Sequence, residues 1–259
     1  MTQPRLTVTS SGKLRCYVSN FPYSVAFNGS SQFGTTTSNI SAYQISTLTI
    51  EAWIKPLSLS GEPMIWSFLN DEHYGIQFEN MSPYFEYLTY SGSANSVIPP
   101  ANACVVGVWY HIVVTVSTTG TGSTATVVVN IYLNGVLIKS ASTSSGWYQT
   151  YGTSIIIAAY TATSYQLNGA IAQLTFYNVA LTQAQVTARY NNLTPAQLGI
   201  TPVSQLNMTE GSGTTLHDAY GNSNFTLTGS PIWTADSPGK SRIIIRKMRT
   251  RLPGIRKAA

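Results

Sequence analysis

Two runs constrain this chain more than any other part: Trp109-Tyr110-His111-Ile112-Val113-Val114-Thr115-Val116, and Ile131-Tyr132-Leu133-Asn134-Gly135-Val136-Leu137-Ile138. Both are rich in β-branched and aromatic residues, the kind that fill a pleated, half-buried surface. A loop of Thr, Gly and Ser separates them. The second run is interrupted by Asn134-Gly135, the strongest short hairpin signal, because both central residues of a type I′ turn need positive φ. The centre of the chain is therefore antiparallel sheet.

The same reading extends outward. Ser24-Val25-Ala26-Phe27 ends at Asn28-Gly29, and Gln32-Phe33 begins another edge. Leu48 to Pro56 alternates apolar and polar. Met64 to Phe68, Tyr74 to Phe78 and Tyr84 to Leu88 follow at regular spacing, and Ser154 to Ala159 and Gly169 to Tyr177 come later. Short strands between turn clusters mark an all-β sandwich. One helix stands out, Gln183 to Tyr190, with Thr182 as its N-cap and Asn191-Asn192 at its end. The Gly-Ser-Thr stretches 117–126 and 140–154 read as exposed loops.

Several segments resemble the laminin-G-like, concanavalin A-like jelly roll, in the order that family uses. They are Val25 to Gly29, then Leu48 to Pro56 with Glu51, Trp53 and Pro56. The Trp109–Gly135 hairpin comes next, followed by Leu167 to Thr182 as last strand and helix. The family usually carries Asp or Glu near Ala172-Gln173, and this chain has none there. Leu206 to Thr215 and Asp218 to Asn222 resemble a segment commonly found ahead of that jelly roll. Here it comes after the jelly roll, which implies added edge strands. The resemblance implies an antiparallel two-sheet jelly-roll sandwich with one short helix, over roughly residues 24–233. It points to surface recognition rather than to one activity, because folds host many functions.

Charge divides the chain. Residues 1–239 hold 6 Lys/Arg and 9 Asp/Glu, a net −3, while residues 240–259 hold 8 cations and no acid. Those eight are Lys240, Arg242, Arg246, Lys247, Arg249, Arg251, Arg256 and Lys257. The expected organisation is a jelly roll over 1–235, with 206–235 as edge strands, and a basic C-terminal arm over 236–259. Such an arm suits nucleic acid, an anionic membrane, or an acidic protein or shell surface. Charged residues are only 9% of the chain, against roughly 25% in a typical soluble protein. Neutral polar surfaces of that kind suit a virion or an extracellular setting. No apolar run is long enough for a transmembrane helix, and no secretory signal is visible. Cys16 and Cys104 allow either one disulfide or two free thiols.

Catalytic chemistry finds little support. A retaining glycosidase needs two carboxylates about 5–5.5 Å apart, which on one strand face means acids at i and i+2. The nine acids contain no such run on a strand: Glu51 is flanked by Thr49 and Trp53, and Glu79 and Glu86 stand seven apart. His111 belongs to its strand, and no nucleophile elbow or phosphate loop occurs. Calcium needs six to eight oxygens; Asp71 and Asp218 lie in the two candidate loops, where Asx turns are the competing role. Glycan binding needs aromatic platforms beside neutral hydrogen-bonding groups. Trp147, Tyr148 and Tyr151 form an uncharged aromatic loop, and Asp71, His73 and Tyr74 are candidates for its rim. The expectation is a non-enzymatic structural or recognition protein, in a virion with other copies or other structural proteins as partners. A secreted or cell-surface lectin is the alternative, and a glycoside hydrolase the second.

Overall fold

A computed structural model describes residues 5–8, 14–17, 21–38, 40–43, 45–68, 71–88, 94–146, 154–239 and 241–242. For 5–8, 14–17, 40, 71–74, 88 and 241–242 it describes the backbone alone. The strands begin with β1 (Arg5–Val8), β2 (Leu14–Tyr17), β3 (Ser24–Asn28), β4 (Phe33–Thr36) and β5 (Leu48–Pro56). Next come β6 (Met64–Phe68), β7 (Asp71–Glu79), β8 (Ser82–Leu88), β9 (Ala94–Val97), β10 (Tyr110–Thr119), β11 (Thr126–Leu133) and β12 (Val136–Thr143). Then come β13 (Ile155–Ile157), β14 (Asn168–Tyr177), helix α1 (Gln183–Tyr190), β15 (Ser204–Leu206), β16 (Thr215–Leu216), β17 (Phe225–Thr228), β18 (Ile232–Thr234) and β19 (Ser241–Arg242).

The chain divides into two compact units, residues 21–238 and residues 1–20 with 239–259. The larger has the expected two-sheet sandwich fold. Its first sheet runs β12-β11-β10-β5-β14-β3-β18, with β15 also on β14; its second runs β16-β17-β4-β13-β6-β7-β8-β9. Every described pairing is antiparallel. The central hairpin forms as its sequence dictates, with Asn134 at φ 52° and Gly135 at φ 81° in the turn. The strands on either side of it run further than the Gly-Ser-Thr composition suggests, β10 to Thr119 and β12 to Thr143. Residues 204–234 supply β15, β16, β17 and β18 to the sandwich edges, as the transposed segment implies.

Alternation decides the core. Ile50, Ile54, Ile112, Val114 and Ile131 point inward from the first sheet, against Trp66, Phe68, Ile76, Phe78 and Phe85 from the second. Trp66 and Phe176 meet across the layers, ring centroids 5.6 Å apart. In β14 the period breaks. Ile171 pairs with Ile54 but Gln173 pairs with Trp53, leaving Ala172 as a bulge. A bulge places an extra residue on one strand and turns the next side chains to the opposite face. Leu174 and Phe176 thereby join Ile171 in the core, while Gln173 and Tyr177 face outward beneath α1. That helix is closed by a capping box between Thr182 and Gln185. Its Val186 packs on Val113, Tyr132 and Tyr177, so the outer face of the first sheet is also buried.

The smaller unit is a separate sheet, β1-β2-β19. Ser241 and Arg242 of the basic arm thus pair with Tyr17 and Cys16, across more than two hundred residues of sequence.

Candidate functional site

A groove of about 460 Å³ opens at one end of the second sheet, lined by Leu59, Glu62, Glu79, Asn80, Met81 and Asn102 among others. Three loops converge there, and backbone bonds tie them. Asn102 N donates to Asn80 O at 2.9 Å, Cys104 N to Met81 O at 2.8 Å and Phe78 N to Pro63 O at 3.1 Å. Four of the lining residues hold the left-handed region: Glu62 (φ 52°), Asn80 (49°), Met81 (58°) and Asn102 (64°). Non-glycine residues rarely adopt it, and such positions concentrate where local geometry serves a function. The groove offers carboxylate acceptors, amide donors and acceptors, and the apolar faces of Leu59 and Met81. Beside it, Leu57, Val105 and Val106 are exposed, with Gly107 N held to Pro56 O at 2.7 Å. The field is acidic: burial first, then the charges of Glu86, Glu62 and Glu79, hold the Tyr84 hydroxyl well above its usual range. None of these turn residues belongs to a motif visible in the sequence. The only signal is Glu79-Asn80-Met81 as a tight connection between two strand-like runs.

The residues proposed from sequence lie elsewhere. Asp71, His73 and Tyr74 stand on the first half of β7. Nine residues of strand, roughly 25 Å of chain, separate Asp71 from the groove at Glu79. Asp71 is opposite Phe68 in register, and so is Ile155. The chain therefore rejoins the sheet, just after the segment holding Trp147, Tyr148 and Tyr151, beside the Asp71 end. Those three residues, and the side chains of Asp71, His73 and Tyr74, lie outside the described residues. So do Lys240, Arg246, Lys247, Arg249, Arg251, Arg256 and Lys257; Arg242 is placed by its backbone, opposite Cys16.

Asp218 holds a turn. Its carboxylate accepts from the backbone N–H of Gln205 (2.8 Å) and Tyr220 (3.0 Å) on one oxygen, and of Asn222 (2.9 Å) and Ser223 (3.0 Å) on the other. Among the described residues, no group of three His, Cys, Asp or Glu is arranged to hold a metal ion. Cys104 is a buried free thiol, its pKa pushed by burial up to about 12.

The strongest electrostatic cluster is architectural. Glu51 lies on the outer face of β5, fully buried under α1. Its two oxygens receive Arg189 Nε at 3.0 Å and Arg189 Nη2 at 2.9 Å. Tyr177 donates its hydroxyl to the same carboxylate at 2.7 Å, and His111 Nε2 lies 3.0 Å from it. Burial alone would raise the Glu51 carboxyl. The Arg189 charge and the His111 contact outweigh it and hold the group well below the usual carboxylate range. Arg189 makes two further bonds, Nη1 to Leu193 O at 2.6 Å and Nη2 to Gln173 Oε1 at 3.0 Å. The amide at 173 thus accepts from the guanidinium where an acid was expected from the resemblance. Glu51 and His111 stand opposite Val113 and Trp53 on the outer face of the first sheet, where the helix buries them, and the helix's single cation is the signal that could have shown it.

Family comparison fits this fold. The model of the concanavalin A-like lectin/glucanases superfamily, laminin-G type, matches residues 27–187. The chain belongs to that family. No curated protein matches it. Among solved structures, a Bacteroides ovatus protein proposed to bind carbohydrate superposes with a TM-score of 0.62 at 15% identity, covering 83% of this chain. This chain spans 60% of that protein's length. The heptameric SAP-like pentraxin of Limulus polyphemus gives 0.48 at 16% identity, over 66% of this chain and 82% of its own. The receptor binding domain of botulinum neurotoxin type G gives 0.45 at 18%, over 72% and 50%. At these identities the likeness concerns fold alone.

Proposed function

We propose that this protein is a non-catalytic recognition protein whose sandwich binds carbohydrate in the groove around Glu62, Glu79, Asn80 and Asn102. The observation that carries the reading is the groove's lining: carboxylates and amides on tied loops beside apolar faces. Sugar hydroxyls need converging donors and acceptors, and the C–H faces of the ring need apolar contact. Membership in a superfamily named for lectins supports it, as does the carbohydrate binding proposed for the Bacteroides ovatus protein. A glycan array tests it. Binding should be reproducible and fall at least tenfold in Glu62→Gln/Glu79→Gln. Binding untouched by that pair but lost in Trp147→Ala/Tyr148→Ala moves the site to the aromatic segment of Trp147, Tyr148 and Tyr151.

One observation favours a hydrolase instead, namely two carboxylates lining one groove. New reducing ends released from a bound glycan, and abolished by Glu79→Gln, would establish it.

The setting we propose is a virion, with other copies or structural proteins of the assembly as partners; a cell surface or extracellular fluid is the alternative. Sparse charge and the basic arm support an assembled particle. Removing residues 240–259 should leave a folded sandwich that is not incorporated, and unchanged incorporation would contradict this.

A further inference from the structure

The termini of this chain share one sheet and one sign of charge. Residues 1–20 and 239–259 form a single unit. It contains Arg5, Lys13 and Arg15 together with the eight cations of the arm, 11 in all, and no Asp or Glu. Counting from the sequence alone places the first three with the sandwich, where they dilute its acidity. Counted by unit, residues 21–238 hold 3 cations and all 9 acids, a formal −6, against +11 for the termini.

Register sorts the small sheet into two faces. Arg5 is opposite Tyr17, Thr7 is opposite Arg15, and Tyr17 is opposite Ser241. Directly opposed residues share a face, so Arg5, Thr7, Arg15, Tyr17 and Ser241 belong to one. Leu6, Val8, Leu14 and Cys16 belong to the other, with Arg242. The first face carries no aliphatic residue. Each of its residue types is one that contacts phosphate and sugar in nucleic-acid complexes, and tyrosine adds a ring on which a base can stack. Of the 11 cations, 7 are Arg, the side chain whose planar fork grips phosphate in two places.

We infer that the small sheet is a nucleic-acid-binding element, with Arg5 and Arg15 of its N-terminal strands binding phosphate. The element is independent of glycan binding by the sandwich. It is sequence-tolerant and strongly salt-dependent, because each neutralised phosphate releases counterions.

Binding of the full chain to a short labelled DNA duplex, titrated from about 50 to about 200 mM salt, tests it. The full chain should bind at low salt and weaken steeply. Arg5→Gln/Arg15→Gln should bind about tenfold more weakly, with a log–log salt slope shallower by about two. Arg5→Lys/Arg15→Lys should keep the slope, since it keeps the charge. Circular dichroism of each variant shows whether the sandwich signal is preserved. No binding at low salt overturns the inference, as does preference for phosphatidylserine vesicles over the duplex. An unchanged slope in the Gln variant also overturns it, by leaving the arm as the sole contact.

Discussion

The sandwich and the terminal unit use charge in opposite ways. In the sandwich, acids outnumber cations nine to three, and much of that charge is committed within the unit. Glu51 is clamped by Arg189, Asp218 closes a turn, and Asp236 joins Lys55 at 2.6 Å and the Trp109 indole at 3.1 Å. The terminal unit has 11 cations and no acid of its own to meet them. Charge that is satisfied internally builds a fold. The contrast matches the roles proposed above, recognition by shape and hydrogen bonding for the sandwich and electrostatic contact for the termini.

The largest effect expected is at the Glu51 cluster. Arg189→Ala leaves a carboxylate buried beneath α1 without its cation, at a cost of about 3–5 kcal/mol. Chemical denaturation should show it in the sandwich, with DNA binding by the termini retained wherever the chain is folded. Loss of both together would break the division.

Acid gives the next effect. The folded Glu51 carboxyl lies below its unfolded value of about 4.3. Its contribution is therefore full above about pH 4.3 and is lost as pH falls from there towards the folded value. Stability measured against pH should fall in that window, and Glu51→Gln should flatten the fall. A pH profile unchanged by the substitution would remove Glu51 from the account.

Smaller again is the groove. A hydrogen bond to a charged group contributes about 1.5–3 kcal/mol, so Glu79→Gln should cost at least tenfold in glycan affinity with little change in stability. Salt is the smallest expected influence on the sandwich, because a buried pair is poorly screened. Between low and moderate salt its denaturation midpoint should barely move, while the DNA affinity of the same chain falls by orders of magnitude.

Much of the fold was legible in the sequence. The Asn134-Gly135 turn, the alternation of β5 and the Thr182 cap act through near neighbours, and each formed as its local chemistry requires. What escaped depends on distant residues. Glu51 and Arg189 are 138 positions apart, and only the packing of α1 on β5 and β14 makes them a pair. The β14 bulge at Ala172 breaks the period-two pattern without a glycine or proline to announce it. Four-residue strands such as Arg5–Val8 carry too little periodicity to show that they pair with the beginning and end of the chain rather than with the sandwich. The groove is built from turn residues whose positive φ values arise in the folded loops; Asn80 and Asn102 look ordinary until those loops converge.

The most direct test of the division of labour is glycan binding by the full chain, measured side by side for Glu62→Gln/Glu79→Gln and Arg5→Gln/Arg15→Gln. The first pair should lose at least tenfold in affinity for the best-bound sugar, and the second should bind it unchanged. Sugar binding that instead tracks the arginines, or that survives loss of both groove carboxylates, would contradict that division.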